Sequence, residues 1–114
     1  MPTIARGNGG VTMVNVFTVE PEQSAALVEL LADGIRRVTS RQPGFVSATI
    51  HVSLDGTRVL NYAQWRDRAS YERLFQDAEM TRFMEDLKAR TSFARADANA
   101  YEVRVVIVPP DATG

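Results

Sequence analysis

The polar residues best placed for chemistry are few, and they do not titrate. Asn15 sits in the run VTMVNVFTV, and Asn61 and Trp65 sit in TRVLNYAQW, each on a stretch whose alternate positions are largely apolar. Amides and an indole N–H donate hydrogen bonds at any ordinary pH. In a pocket that excludes water, such donors stabilise an enolate or a peroxide oxygen. Asn61 and Trp65 are four residues apart, about 13 Å along a strand, so a flat molecule lying on that strand can touch both. The plainer reading is packing: a strand Trp is usually core with its N–H on a carbonyl, and a buried Asn is often tied to nearby backbone.

His51 is the single histidine and the one group that titrates near neutral pH without perturbation. Alternation along FVSATIHVSL puts it with Ser47, Thr49 and Ser53, on the face opposite Val46, Ala48, Ile50, Val52 and Leu54. It therefore reads as an interface or exposed strand residue rather than a base. Tyr71 follows Trp65 closely and either offers its hydroxyl to a pocket or packs as core. Arg82 and Arg90 flank the apolar stripe Met80, Phe83, Met84 and Leu87, and by spacing alone both belong to a solvated helix face. Asp67, Glu72, Asp77, Glu79 and Glu85 read as helix surface, not as a catalytic carboxylate pair.

The composition removes most other chemistry. A chain of 114 residues, 45% hydrophobic and 24% charged, is one ordinary globular domain. Thirteen Lys and Arg against fourteen Asp and Glu give a net charge of −1, so the electrostatic footprint of a nucleic-acid binder is missing. Without cysteine there is no disulfide, thiolate or Cys-zinc site; a cysteine-free chain fits a reducing cytosol, and a cytoplasmic location is expected. One histidine rules out a multi-His metal site within the chain. No apolar run approaches a membrane span, and Met1–Gly10 lacks a signal peptide's apolar core. Gly7-Asn8-Gly9-Gly10 precedes a strand, whereas a phosphate loop follows one. No dinucleotide fingerprint is present either, so neither flavin nor nicotinamide is indicated.

These residues have to be positioned by a small set of elements. Residues 1–10 read as a flexible arm, 11–108 as the domain and 109–114 as a tail. A strand is predicted over Val11–Val19, followed by a helix opening at Pro21, carrying Leu27, Leu31, Ile35 and Val38, and stopped by Pro43-Gly44. Phe45–Leu54 and Thr57–Trp65 form a hairpin about Asp55-Gly56. A two-residue turn pairs Leu54 with Thr57, Ile50 with Asn61 and Val46 with Trp65, which places Val59, Asn61, Ala63 and Trp65 on the apolar side. Helical periodicity runs from Ala69 to Leu87, Thr91–Asn99 reads as a connection, and Ala100–Val108 as the last strand. The order βαββαβ predicts an α+β, ferredoxin-like fold, a four-stranded antiparallel sheet with both helices on one face. The other face, with Val14, Val16, His51, Leu60 and Tyr62, needs a cover, which predicts a homodimer.

The segments Pro43-Gly44-Phe45, Ala48-Thr49-Ile50-His51, Asp55-Gly56-Thr57, Asn61-Tyr62-Ala63-Gln64-Trp65 and Tyr71 resemble the antibiotic biosynthesis monooxygenases, above all the small anthrone oxygenases of aromatic polyketide pathways. The resemblance spans about Val11 to Leu87, and NYAQW is its most specific part. It implies a dimeric α+β barrel that oxidises an anthrone-type aromatic polyketide intermediate to a quinone with O2, without flavin, haem or metal. Asn15, Asn61 and Trp65 match the family's catalytic residues, and Tyr71 matches a cavity-lining Tyr. Phe17 and Met84 join Tyr71 as expected substrate contacts. A helical Arg used in one branch has no clean match here, and Arg82 is the candidate. Haem-degrading enzymes of the same fold also carry a first-strand Asn, but they need an axial His on the later helix, and residues 69–90 contain none. A non-catalytic ligand-binding dimer, or an enzyme acting on another electron-rich substrate such as a quinol, shares the same expected fold.

Overall fold

A computed structural model describes residues 10–110. The arm predicted over residues 1–10 therefore lies outside the described residues except for Gly10, as does the end of the tail, residues 111–114. The elements are β1 (Val11–Thr18), α1 (Ser24–Arg37), β2 (Phe45–Val52), β3 (Arg58–Trp65), α2 (Arg68–Arg73), α3 (Ala78–Arg90) and β4 (Arg95–Tyr101). The strands form one antiparallel sheet in the order β2-β3-β1-β4, the ferredoxin-like arrangement expected from the element order.

Helix α1 lays Leu27, Leu31 and Ile35 on Phe17 and Val59 of the sheet. Each such side chain contributes roughly 1.5–3 kcal/mol by leaving water. A second cluster joins Val38, Trp65, Leu74 and Met80, with Met13, Tyr71, Phe83 and Met84 against it. Helices α1 and α3 meet at Gly34, where a Cβ would run into the Phe83 ring. The later helices start where short acids accept backbone N–H bonds: Asp67 from Ser70 N at 2.8 Å, and Asp77 from Met80 N at 2.9 Å.

The hairpin register pairs Ile50 with Asn61, as expected, but it changes near Trp65. A bulge at Val46 brings Phe45, not Val46, opposite Trp65. The extra residue shifts the alternation by one, so Phe45 turns to the helix side while Val46 is 52% exposed. Strand β2 also ends at Val52. Ser53 N donates to Arg58 O and Gly56 N to Ser53 O, so Leu54 sits at the tip of a longer turn, fully exposed.

The last strand is displaced from its expected position. It runs over Arg95–Tyr101, inside the stretch read as a connection, and residues 102–108 lie outside any strand. Two pressures explain the shift. Helix α3 closes at Thr91, whose N–H and hydroxyl both reach Leu87 O, and Ala94 N then bonds Thr91 O, so the chain turns back at once. Strand β1 then has Thr12 to Thr18 free on that side to pair with Tyr101 to Arg95. Backbone pairing thus overrides the stronger β-propensity of VRVVIV over ADANA.

Candidate active site

Cross-strand pairing fixes which side chains share the helix-covered face. Asn15 pairs with Asn61 and with Ala98, Met13 with Ala63 and Ala100, and Val11 with Trp65. The two amides therefore stand side by side on central strands, with the indole two same-face positions further along β3, beyond Ala63. The edge strand opposes them with alanine, and a small residue there leaves space above the sheet.

That space is a chamber of about 140 Å³ between the sheet and the helices. Asn15, Asn61, Trp65, Tyr71, Thr39 and Ala98 line it, within walls of Leu, Ile, Phe and Met side chains. Asn61 is 8% and Trp65 2% exposed. Phe45 and Tyr71 hold the indole edge-on, with ring centroids 5.5 and 6.3 Å away. An open pocket of about 530 Å³ shares Asn15, Met84 and Leu87 with the chamber and adds Phe17, Lys88 and Thr91. Chamber and pocket thus form an inner and an outer part with common walls.

Three buried polar atoms in this region make no hydrogen bond: Asn15 Oδ1, Asn61 Oδ1 and Trp65 Nε1. Each such omission costs about 1–3 kcal/mol, and buried groups of this kind are few in native proteins. Three on one chamber is a cost that a ligand would remove. Two are acceptors and one is a donor, and an amide reverses its ends by a half-turn about its last torsion. Among the residues lining the chamber, only Tyr71 carries an ionisable group. Burial raises its pKa above the ordinary 10.0, so at neutral pH it is a hydroxyl and not a phenolate base.

The other predicted residues separate. Phe17 lies in the core and on the wall of the outer pocket, and Met84 lines both spaces. Arg82 does neither. It lines a groove between α1 and α3 with Arg37, Glu79 and Asp86. His51 stands on the uncovered face, with its Nε2 2.9 Å from Thr49 Oγ1. Thr39 is the chamber residue that sequence reasoning missed. Its signal was spacing, since Leu27, Leu31, Ile35 and Thr39 continue one stripe at four-residue intervals. No group of His, Asp or Glu able to hold a metal ion occurs among the described residues.

The site is thus a mostly apolar chamber with uncharged donors and acceptors, set between the sheet and helices of a small α+β domain. Residues 10–86 match the family described as antibiotic biosynthesis monooxygenase. The chain belongs to this family, and it is a monooxygenase, an oxidoreductase. It is 41% identical over 80 residues, 70% of this chain and 71% of the relative, to the tetracenomycin-F1 monooxygenase of Streptomyces glaucescens. The monooxygenase from the gene ActVA-Orf6 of Streptomyces coelicolor, solved in complex with nanaomycin D, is 34% identical. It superposes with a TM-score of 0.76, covering 90% of this chain and 94% of that one. SnoaB of Streptomyces nogalater, described as a cofactor-independent oxygenase, shares the fold at 24% identity and a TM-score of 0.65, covering 87% of this chain and 97% of its own. No helix among the described residues is long and apolar enough to cross a membrane.

Proposed function

We propose that the protein oxidises an anthrone-type aromatic polyketide intermediate to the corresponding quinone, using O2 and no cofactor. One observation carries this reading: three unpartnered polar atoms, on Asn15, Asn61 and Trp65, face a chamber without a charged side chain. A chamber of that kind suits a substrate that supplies its own reactivity. An anthrone's methylene lies between two aryl rings and is conjugated to the carbonyl, so loss of its proton leaves a delocalised, phenolate-like anion. That anion passes one electron to O2, and the radical pair combines to form a C–O bond. Protonation gives a hydroperoxide, and loss of water from it gives the quinone. The protein supplies orientation, exclusion of water and hydrogen bonds to the oxygen that carries charge.

The roles follow from the atoms. The Trp65 Nε1–H donates to the anionic oxygen. Asn61 bonds the same edge of the substrate, and Asn15 opposite it holds the substrate or the peroxide. Tyr71, kept neutral by burial, adds a hydroxyl. The inner chamber is below the usual 300–1,000 Å³ of a ligand site, so the reacting edge sits inside and the fused rings run outward past Met84 and Phe17. His51 faces away from the chamber, which favours this reading over axial ligation of haem.

The functional unit in this reading is a cytoplasmic homodimer. Val105, Val106, Ile107 and Val108 are exposed, with Ile107 at 87%. Such an apolar run marks an interaction surface, and a second copy seated on the uncovered sheet face would cover it. Sedimentation at micromolar concentration is expected to give a dimer, and Ile107→Asp is expected to weaken it.

The activity is tested by incubating the colourless, chelator-treated protein with dithranol in air and following quinone absorbance. Acceleration over buffer is expected. No acceleration by folded protein would remove the monooxygenase reaction as written.

A further inference from the structure

Three of the chain's four methionines, Met13, Met80 and Met84, line the chamber. Thioethers are soft, polarisable and good at filling irregular space, and they are also the side chains that accept an oxygen atom to form a sulfoxide. We propose that Met13 and Met84 are oxidation sites that take oxygen from the substrate hydroperoxide, so that a fraction of turnovers ends in a self-inactivated enzyme. This rests on the oxygenation proposed above.

The step balances without a further reagent. The sulfur attacks the terminal oxygen of the C–O–O–H group and the O–O bond breaks. The sulfur is oxidised by two electrons to a sulfoxide, and the hydroperoxide is reduced to the alcohol once its remaining oxygen takes up the proton. Product and side product differ accordingly: loss of water gives quinone, whereas oxygen transfer gives the hydroxylated anthrone and a methionine sulfoxide.

The geometry separates the three sulfurs. Met13 sits on β1 opposite Ala63, diagonal to both Asn61 and Trp65. Diagonal neighbours across a strand pair lie about 7–8 Å apart, within reach of a long side chain. Met84 lines both the inner chamber and the outer pocket, along the path a substrate occupies. Met80 differs. The Thr39 hydroxyl donates a hydrogen bond to its Sδ at 3.4 Å, and the residue is 4% exposed. That bond draws on the lone pair a nucleophilic sulfur needs, so Met80 is held back. A sulfoxide at Met13 or Met84 would place a strong acceptor in an apolar wall and close the chamber to a flat aromatic substrate.

The experiment follows quinone and protein together. The enzyme is run on dithranol in air with catalase and free methionine present, and tryptic peptides are sampled by mass spectrometry against turnovers completed. The expected result is sulfoxide at Met13 and Met84 rising in proportion to quinone formed, with Met80 severalfold lower. Thr39→Val should remove that protection and bring Met80 up to the others. In Met13→Leu/Met84→Leu the ratio of inactivation rate to turnover rate should fall severalfold, whatever happens to the initial rate. Quinone formation without sulfoxide, or sulfoxide that is independent of turnover, would overturn the proposal while leaving the oxygenase reading intact. If no quinone forms, the oxygenase reading has failed. Cumene hydroperoxide, added directly, then still decides whether Met13 and Met84 take oxygen ahead of Met80; equal labelling of all three would reject it.

Discussion

The two faces of the sheet are built from the same strands and differ by one residue of alternation, yet their chemistry is opposite. The helix-covered face carries Asn15, Asn61 and Trp65, all uncharged, each with a buried oxygen or nitrogen left unpartnered. The uncovered face carries His51, hydrogen-bonded to Thr49, and Ser47, whose hydroxyl donates to Gln64 at 3.1 Å. The chain's single histidine is therefore on the satisfied, outward side. The groups left unsatisfied are the ones that cannot titrate. On the function proposed above, the protein contributes a shaped environment that excludes water, and the acid–base work falls to the substrate.

Substitutions that break this contrast should rank by how close they come to the unpartnered atoms. Trp65→Phe removes the only indole donor, and Asn61→Ala removes an amide; each should lower kcat/KM by about tenfold or more, the usual cost of a lost oxyanion donor. Full rates in both folded variants would move the site elsewhere. Gly34→Ala forces a methyl group against the Phe83 ring and should destabilise the fold by about 1–3 kcal/mol through overpacking, read as a shift in urea midpoint. On the outward side His51→Ala should change the rate by less than about twofold, as surface substitutions do. A bell-shaped rate profile lost in that variant would reinstate it as a base. The smallest effect belongs to Asp55 at the hairpin tip. Hydrogen bonds from the Thr57 hydroxyl, the Thr57 N–H and the Ser53 hydroxyl lower its pKa from 3.8 to about 2. A carboxylate stabilised in the fold contributes fully above its unfolded pKa and loses that contribution as pH falls through the folded one. Asp55→Asn should therefore flatten the loss of hairpin order between pH 3.8 and about 2, followed by amide exchange or NMR.

Much of this was legible in the sequence because strand period and turn chemistry are local. Asp55-Gly56 anchored the hairpin, and the register from it paired Ile50 with Asn61 and put Asn61, Ala63 and Trp65 on one face. The same arithmetic failed at Val46, because a bulge is an extra residue that alternation cannot anticipate. Strand β4 was misplaced for a different reason. Its Ala-rich sequence has little strand propensity, and it forms because β1 offers an unpaired edge, a tertiary fact. Thr39 escaped notice because it follows the end of α1, in a separate turn over Thr39–Arg41, although it continues the helix's buried stripe. Arg82 was proposed through the resemblance, and its helical phase sends it to the outer groove.

The central claim is that the free indole N–H of Trp65 meets the oxygen of a bound aromatic ligand. Trp65 is the chain's only tryptophan, so its indole gives a single Nε1–H cross-peak in a 15N-labelled sample. On titration with a dihydroxyanthraquinone, that peak should move downfield and saturate together with the Asn15 and Asn61 side-chain amides. Saturable binding that shifts other residues while the indole and both amides stay unmoved would contradict the account.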